Sequence, residues 1–549
     1  MNWYSGAASA LSACLLLVVL ASPSIVGAEE PLDLKIINGK VLDGTGNSWF
    51  LADVGVREGR VVEVGNLGQR EATEVIDAGG LVVAPGFIDV HTHTDSQMFE
   101  LPIAENFIRN GVTTIVTGNC GGSVTDIREY LDRLDAEPTA LNVSTLIGHN
   151  TVLRELKGGV AEPLNEEQLA KAREIVRKGM EDGAVGLSTG LIYVPGRWSS
   201  TEEIIELQRV AAEYDGIYAT HMRSEATEIL DAIDEAIRIA EETGSRLQIS
   251  HFKLPTDMEQ KIGQDATMAK VLAARARGLE VWVDQYPYTA SSTGITTLFP
   301  GWVLEEGSEK AREMLQDPET VERVKGDMAK SQETRMRKDY NFARVASARA
   351  YPEYSGKSIR EIAEYRRGTP SEEPVTHEEQ VETIIDIYLE GGAGMVYHQM
   401  SEDSVESIMR SPLVAICSDS GVREFGSGTP HPRGYGTNAR VLGEYVRERG
   451  VITLEEGIRK MTSMPARAFR FHDRGMIHPG YAADIVIFDP ETITDHATFT
   501  EPHQYSTGFA WVIVNGVPVV KDDAITGARP GQAIRGAGWR PEKAQKSED

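Results

Sequence analysis

Six side chains able to ligate a metal stand where short apolar runs end: His91 and His93, Cys120, His221, His251 and Asp419. The first pair closes the stretch Pro85-Gly86-Phe87-Ile88-Asp89-Val90-His91-Thr92-His93. Side chains in a strand alternate between faces, so both imidazoles point the same way and can grip one ion. A lone histidine at a strand end is usually a hydrogen-bonded structural residue. Six donors at corresponding positions of a repeating unit need another explanation, and a metal site supplies it. Imidazole, thiolate and carboxylate together suit zinc. Cys120 lies in Gly118-Asn119-Cys120-Gly121-Gly122, and the chain's other cysteines are Cys14 and Cys417. That is no disulfide framework. Cys120 is read as a ligand or nucleophile, with a Cys120–Cys417 bridge as the alternative.

The elements that must position these residues form a repeating pattern. Candidate strands are Gly86–Val90, Thr113–Thr117, Asn142–Ile147, Ala184–Leu187, Ile217–Thr220, Leu247–Ser250, Val281–Gln285 and Leu413–Cys417. Several are apolar throughout, as parallel strands buried on both faces are. Helical periodicity fills the gaps, as in 165–182 and 226–243. Eight strands alternating with helices predict an α/β fold, a (β/α)8 TIM-like barrel over residues 85–474, with its active site at the strand C-terminal ends. Residues 29–84 and 475–540 read as short strands and are expected to form one small β-sandwich from both chain ends. A ninth apolar run, Gly394–His398, is assigned to an insertion over 301–394, before the last barrel strand, where it could act as a lid.

The chain has 549 residues, 41% of them hydrophobic and 25% charged, with a formal net charge of −28. That balance excludes nucleic acid and anionic membrane as partners, since both need basic surface. Residues 1–28 contain no charged side chain, carry the apolar run Leu15–Leu20 and end at Val26-Gly27-Ala28 before two glutamates. This predicts a signal peptide and a protein that is exported, with no membrane attachment after cleavage.

Several motifs resemble the amidohydrolase superfamily and, within it, the N-acyl-D-amino-acid deacylases (D-aminoacylases). They are 85–95, 118–122, Gly148-His149-Asn150, 187–193, Thr220-His221-Met222-Arg223, 248–253, Tyr286-Pro287-Tyr288, Ser418-Asp419 and His431-Pro432-Arg433. Related hydantoinases use a carboxylated lysine on the fourth strand, but 184–190 contains no lysine, and Cys120 is the natural substitute. The resemblance implies one tightly held zinc on Cys120, His221 and His251, and a second, weaker site on His91 and His93. A zinc with three protein ligands keeps one position for water and lowers its pKa toward neutrality. Asp419 would orient this water, take its proton and pass it to the leaving amine. Arg433, Lys253, Tyr286 and Ser292 would hold the substrate's α-carboxylate, and His149 would contact substrate or orient a ligand.

The expected activity is hydrolysis of N-acyl-D-amino acids to a carboxylate and a free D-amino acid. Two other readings stand beside it. One is an amidohydrolase of cyclic amides or of dipeptides ending in a D-residue; the other is a non-catalytic zinc-binding protein. Asp419 and Arg433 together speak against the last, because a metal store needs neither. A preference for D-Glu or D-Asp would require an extra cation, for which the insertion offers Arg335 and Arg337.

Overall fold

The structure is a computed structural model that describes residues 30–541 apart from 96, 160 and 369–372. The expected signal segment, residues 1–28 with Cys14, lies outside the described residues. Eight parallel barrel strands are present. In chain order they are Phe87–Asp89, Val112–Thr117, Asn142–Thr145 continued by Ile147–Gly148, Gly186–Gly190, Ile217–His221, Leu247–Ile249, Val281–Gln285 and Val414–Ile416. Hydrogen bonds run in two arcs, one of three strands and one of six, with the third barrel strand giving its first half to one and its second half to the other. The Val185 amide donates to the Thr145 carbonyl at 2.9 Å and joins them on one side. On the other side Thr92 bridges Ser420, and the His93 amide donates to the Ser420 carbonyl at 2.9 Å. The expected (β/α)8 barrel is therefore closed, and its seam runs between His91–His93 and Asp419.

The barrel interior is filled near the strand starts by Ile88, Val116, Ile217, Ala219, Trp282 and Ala415. Met464, Ala466, Phe469 and Phe471 plug the floor beneath them. This apolar floor leaves the opposite, C-terminal end for polar chemistry. The fourth strand is Gly186–Gly190, not Ala184–Leu187 as hydropathy predicts. Its polar half is accommodated because the Ser188 hydroxyl donates to the Gly118 carbonyl and the Thr189 hydroxyl donates to Thr220 Oγ1 at 2.7 Å.

Strands from both chain ends join in one nine-stranded sheet. Val82–Pro85 pairs antiparallel with Ile485–Phe488 and parallel with the end of Leu32–Val41. Leu34, Ile36, Val54, Val56, Val83, Ile485, Ile487 and Ile513 share its apolar core. The sheet is bolted to the barrel by buried Asp484. Its carboxylate accepts from Asn142 Nδ2 at 3.1 Å on the third barrel strand, from Arg474 at 2.7 Å and from the Asn515 amide at 2.8 Å.

The excursion between barrel strands seven and eight is built on a three-stranded antiparallel sheet. Ala290–Gly294 and Ala343–Ser347 flank Gly394–His398. Helices Pro318–Thr334 and His377–Leu389 cover it over a core that includes Val324, Val345, Ile384 and Met395. The unit thus starts at Ala290, earlier than the expected Gly301, and includes Gly394–His398 entirely. Ala-Ser-Ser-Thr-Gly has no apolar alternation to betray a strand; the register with Gly394–His398 makes it one. No helix among the described residues is long and apolar enough to cross a membrane.

Replacing Asp484 by Ala leaves Arg474, which is 6% exposed, with only the more exposed Asp473 at 3.5 Å as a counterion. Breaking one side of a buried ion pair costs about 3–5 kcal/mol. Asp484→Ala is expected to lower the thermal midpoint clearly, as followed by circular dichroism, whereas Asp489→Ala in the same chain segment is expected to leave it close to that of the parent protein.

Candidate active site

The strand ends bring the six expected donors into one cluster. Cys120 Sγ lies 3.3 Å from His91 Nε2 and 3.6 Å from His251 Nε2. His251 Nε2 is in turn 2.7 Å from His221 Nδ1. Asp419 Oδ1 is 3.2 Å from His93 Nε2 and 3.6 Å from His91 Nε2.

Three of these residues, Cys120, His251 and Asp419, have left-handed backbones, with φ of 52°, 36° and 48°. Non-glycine residues rarely adopt this region, and such strain persists only where surroundings enforce it. The enforcing contacts are visible. The His251 amide donates to Asp284 Oδ1 at 2.6 Å, and the Asp419 amide donates to the His91 carbonyl at 3.0 Å. Beside Cys120, the Gly121 amide donates to Ser188 Oγ at 3.1 Å. Gly190 is required there, since a Cβ would stand 2.1 Å from the Cys120 carbonyl oxygen. Each of the three chains turns sharply as it leaves its strand and drops its side chain over the barrel mouth.

Electrostatics favour ligand-competent forms. Burial opposes the Cys120 thiolate, yet the charge of His91 and hydrogen bonds from His221, His251 and His91 outweigh it and hold the thiol well below its ordinary range. Burial also opposes the Asp419 carboxylate, but Arg433, His91, His93 and His251 hold it well below the usual range. His221 Nε2 is buried and has no hydrogen-bond partner. A buried imidazole nitrogen without a hydrogen-bond partner, 3.6 Å from Glu225 Oε2 in a cluster that also holds a thiolate and further imidazoles, fits a zinc ion. Ligating atoms lie within 4.8 Å of one another in the sets His91/Cys120/His251, His91/His93/Asp419 and His221/Glu225/His251. His91 belongs to both of the first two sets and to a fourth with Asp284 and Cys417, while Cys120 and His221 each share a set with His251 but not with one another, an arrangement suited to one or two ions.

Cys120 and Cys417 are both free, so the alternative bridge does not form. The Cys417 thiol instead donates to Asp284 Oδ1 at 3.1 Å, and burial pushes its pKa well up.

A cavity of about 480 Å³ opens above the cluster. Lys253, Tyr286, Ser292 and Arg433 all line it, as does Asp419. Arg433 Nη1 is 2.9 Å from Asp419 Oδ2, a close ion pair without hydrogen-bond alignment, and its side chain lies 4.5 Å over the Tyr286 ring. The Tyr286 hydroxyl is buried without a partner, and burial keeps the phenol protonated. Lys253 is held by Glu225 and by the His251 carbonyl, to which it donates at 2.9 Å. The Ser292 hydroxyl donates to the Met395 carbonyl at 2.8 Å, which ties it to the insertion's sheet while its oxygen remains an acceptor.

His149 is a correction. It opens the helix His149–Lys157, is fully buried, and does not line the cavity. Its Nε2 faces Ser199 Oγ at 3.4 Å and Glu203 Oε1 at 3.6 Å, so it touches neither ligand nor substrate space. A strand end followed by an immediate helix start turns the side chain outward, and spacing alone does not reveal that.

Three functional residues escaped the sequence reading. Asp284 accepts from His91 Nδ1 at 3.1 Å and from Gln248 Nε2 at 2.7 Å, orienting a ligand from behind. Its signal was a carboxylate inside the buried strand Val-Trp-Val-Asp-Gln. Glu225 lies 2.8 Å from His251 Nδ1 and 3.6 Å from His221 Nε2 and binds Lys253. Tyr193 sets its ring 4.7 Å from that of His221 and shares a 3.0 Å hydrogen bond with Thr293. No spacing rule points to either residue, because each reaches the site from a loop.

Cys120→Ala is expected to lose most of its zinc on dialysis, while Cys417→Ala retains the wild-type content. Elemental analysis of the purified proteins checks both.

Comparisons with known proteins agree with this geometry. Residues 74–520 match the amidohydrolase family. The chain is 33% identical over 528 residues to a D-aminoacylase of Alcaligenes xylosoxydans xylosoxydans, covering 92% of this chain and 98% of that protein. It is 34% identical over 532 residues to an N-acyl-D-glutamate deacylase of the same organism, covering 92% and 97%. It superposes with a TM-score of 0.78, at 34% identity, on the crystal structure of N-acyl-D-glutamate deacylase from Bordetella bronchiseptica complexed with zinc and a phosphonate inhibitor, covering 92% of this chain and 100% of that one. The chain belongs to the amidohydrolase family, among the N-acyl-D-amino-acid deacylases.

Proposed function

We propose that this protein is a zinc-dependent hydrolase that cleaves the amide of N-acyl-D-amino acids to a carboxylate and a free D-amino acid. The observation that carries the reading is the placement of Asp419, with one oxygen toward His93 and His91 and the other toward Arg433. A carboxylate that touches both the metal-ligand cluster and a buried guanidinium serves turnover rather than metal storage.

Cys120, His221 and His251 would hold the tighter zinc, with His91 and His93 beside it. When bound, the metal supplies Lewis-acid polarisation of the acyl carbonyl and acidifies water toward neutrality. The rest of the chemistry belongs to the chain. Arg433 and the partnerless Tyr286 hydroxyl present donors to the substrate's α-carboxylate, and Lys253 adds positive charge beside them. Asp419, ionised at working pH, takes the proton as water adds to the acyl carbon. It returns that proton to the nitrogen as the C–N bond breaks, which is needed because an amide nitrogen leaves poorly without it. Asp284 and Glu225 keep His91 and His251 in fixed orientation throughout.

The insertion contributes Ser291, Ser292 and Thr293 to the cavity wall, which supports a role as cover for the site. Export is supported by the uncharged, apolar first 28 residues. Fractionation of expressing cells with amino-terminal sequencing of the active protein tests it, a cytosolic enzyme with its first residues intact being the contrary result.

Asp419→Asn is expected to lower kcat by roughly a thousandfold while zinc content stays unchanged. Turnover near the parent value would refute the assigned proton transfer. Arg433→Met is expected to raise KM for N-acetyl-D-amino acids by at least tenfold, and the parent enzyme is expected to leave the N-acetyl-L forms intact.

A further inference from the structure

A second cavity, of about 350 Å³, adjoins the first and shares Tyr193, His221, Glu225, Ser291 and Thr293 with it. Its distinctive feature lies in the insertion: Arg335 and Arg337 both line it. Arg335 takes both oxygens of Asp257, at 2.9 and 3.3 Å. Arg337 approaches the same carboxylate only to 3.9 Å. Its remaining contacts are a hydrogen bond to Gln399 Oε1 at 3.0 Å and the face of the Phe342 ring at 4.0 Å. Side-chain exposures are 15% for Arg337 and 8% for Asp257. One carboxylate therefore serves two guanidiniums in a largely buried place.

The other charges lining this cavity do not redress the balance. Arg223 is matched by Glu235 through two bonds, at 3.0 and 2.8 Å. Glu225 is already committed to Lys253 and His251. Arg197, exposed at the mouth, pairs with no carboxylate among the described residues, and Glu228 is exposed at the rim. A buried cation without a counterion of its own is costly. A guanidinium held over an aromatic ring, with donors left over, is suited to receive a carboxylate in two-point geometry.

We propose that Arg337 is a specificity-determining residue that receives a second carboxylate on the substrate, so that the preferred substrates are N-acyl-D-amino acids with two acidic groups. The inference rests on the deacylase reading of the adjoining site and adds the substrate class. The curated relatives do not decide the matter, because they include a D-aminoacylase, an N-acyl-D-glutamate deacylase and an N-acyl-D-aspartate deacylase at 33%, 34% and 30% identity. The second carboxylate could belong to the D-residue's side chain or to a dicarboxylic acyl group.

Steady-state kinetics of the zinc-loaded enzyme on N-acetyl-D-Glu, N-acetyl-D-Leu and N-succinyl-D-Leu separate these sources. The parent enzyme is expected to favour at least one dicarboxylate over N-acetyl-D-Leu by roughly tenfold or more in kcat/KM. Arg337→Met should collapse that ratio at least tenfold, chiefly through KM, and Arg337→Lys should restore part of it. A response confined to N-acetyl-D-Glu assigns the side chain, and one confined to N-succinyl-D-Leu assigns the acyl end; either supports the subsite. Equal losses on all three substrates, or a parent preference for N-acetyl-D-Leu, overturn it while leaving the deacylase reading intact. No turnover of any of the three by the parent enzyme overturns both.

Discussion

A buried carboxylate beneath the metal ligands governs this site. Asp284 lies at the end of the seventh barrel strand and is 1% exposed. Its two oxygens accept from His91 Nδ1, the His251 amide, Gln248 Nε2 and the Cys417 thiol. Burial penalises its charge, but His91 and its hydrogen bonds lower its pKa nonetheless. So many donors on one anion fix several things together: the tautomer of His91, the left-handed turn at His251, and the spacing of strands one, six, seven and eight. The orientation of the ligand cluster is thereby set by contacts within the protein.

The same logic of enforced backbone extends around the barrel mouth. Cys120, His251 and Asp419 come from strands two, six and eight, yet each leaves its strand through the same unusual conformation. Small residues make room for it, as Gly190 does beside the Cys120 carbonyl. The apolar floor below, built from Trp282, Phe469 and their neighbours, gives the barrel its stability. Strain at the mouth can then be tolerated because the packing cost is met elsewhere.

Much of this was legible in the chain. Apolar runs of four to six residues ending in His, Cys or Asp disclosed both the barrel and the ligands, because burial on two faces and ligation at one end leave a plain mark. Helical periodicity over 165–182 disclosed a helix, whose start Asn165 and Gln168 cap reciprocally. What the sequence hid was set by tertiary partners. Ala290–Gly294 is a strand only by virtue of Gly394–His398, and Ser188–Gly190 only because hydroxyls find acceptors inside the barrel. Glu225 and Tyr193 arrive from loops, where no periodicity constrains position. His149 shows the opposite error: a residue in a suggestive motif whose helix carries it away from the cavity.

The pairing of Val82–Pro85 with Ile485–Phe488 bears on the order in which the chain acquires structure. Val82–Pro85 leads directly into the first barrel strand and the His91–His93 pair, while its partner is made only after the whole barrel has been synthesised. The strand that feeds the metal-bearing one therefore depends for one of its two edges on a partner from the far end of the chain, and for the other on Leu32–Val41. The barrel's own seam closes at Ser420, so loss of the final strands would expose the edge of Val82–Pro85 beside the first barrel strand while leaving that seam intact.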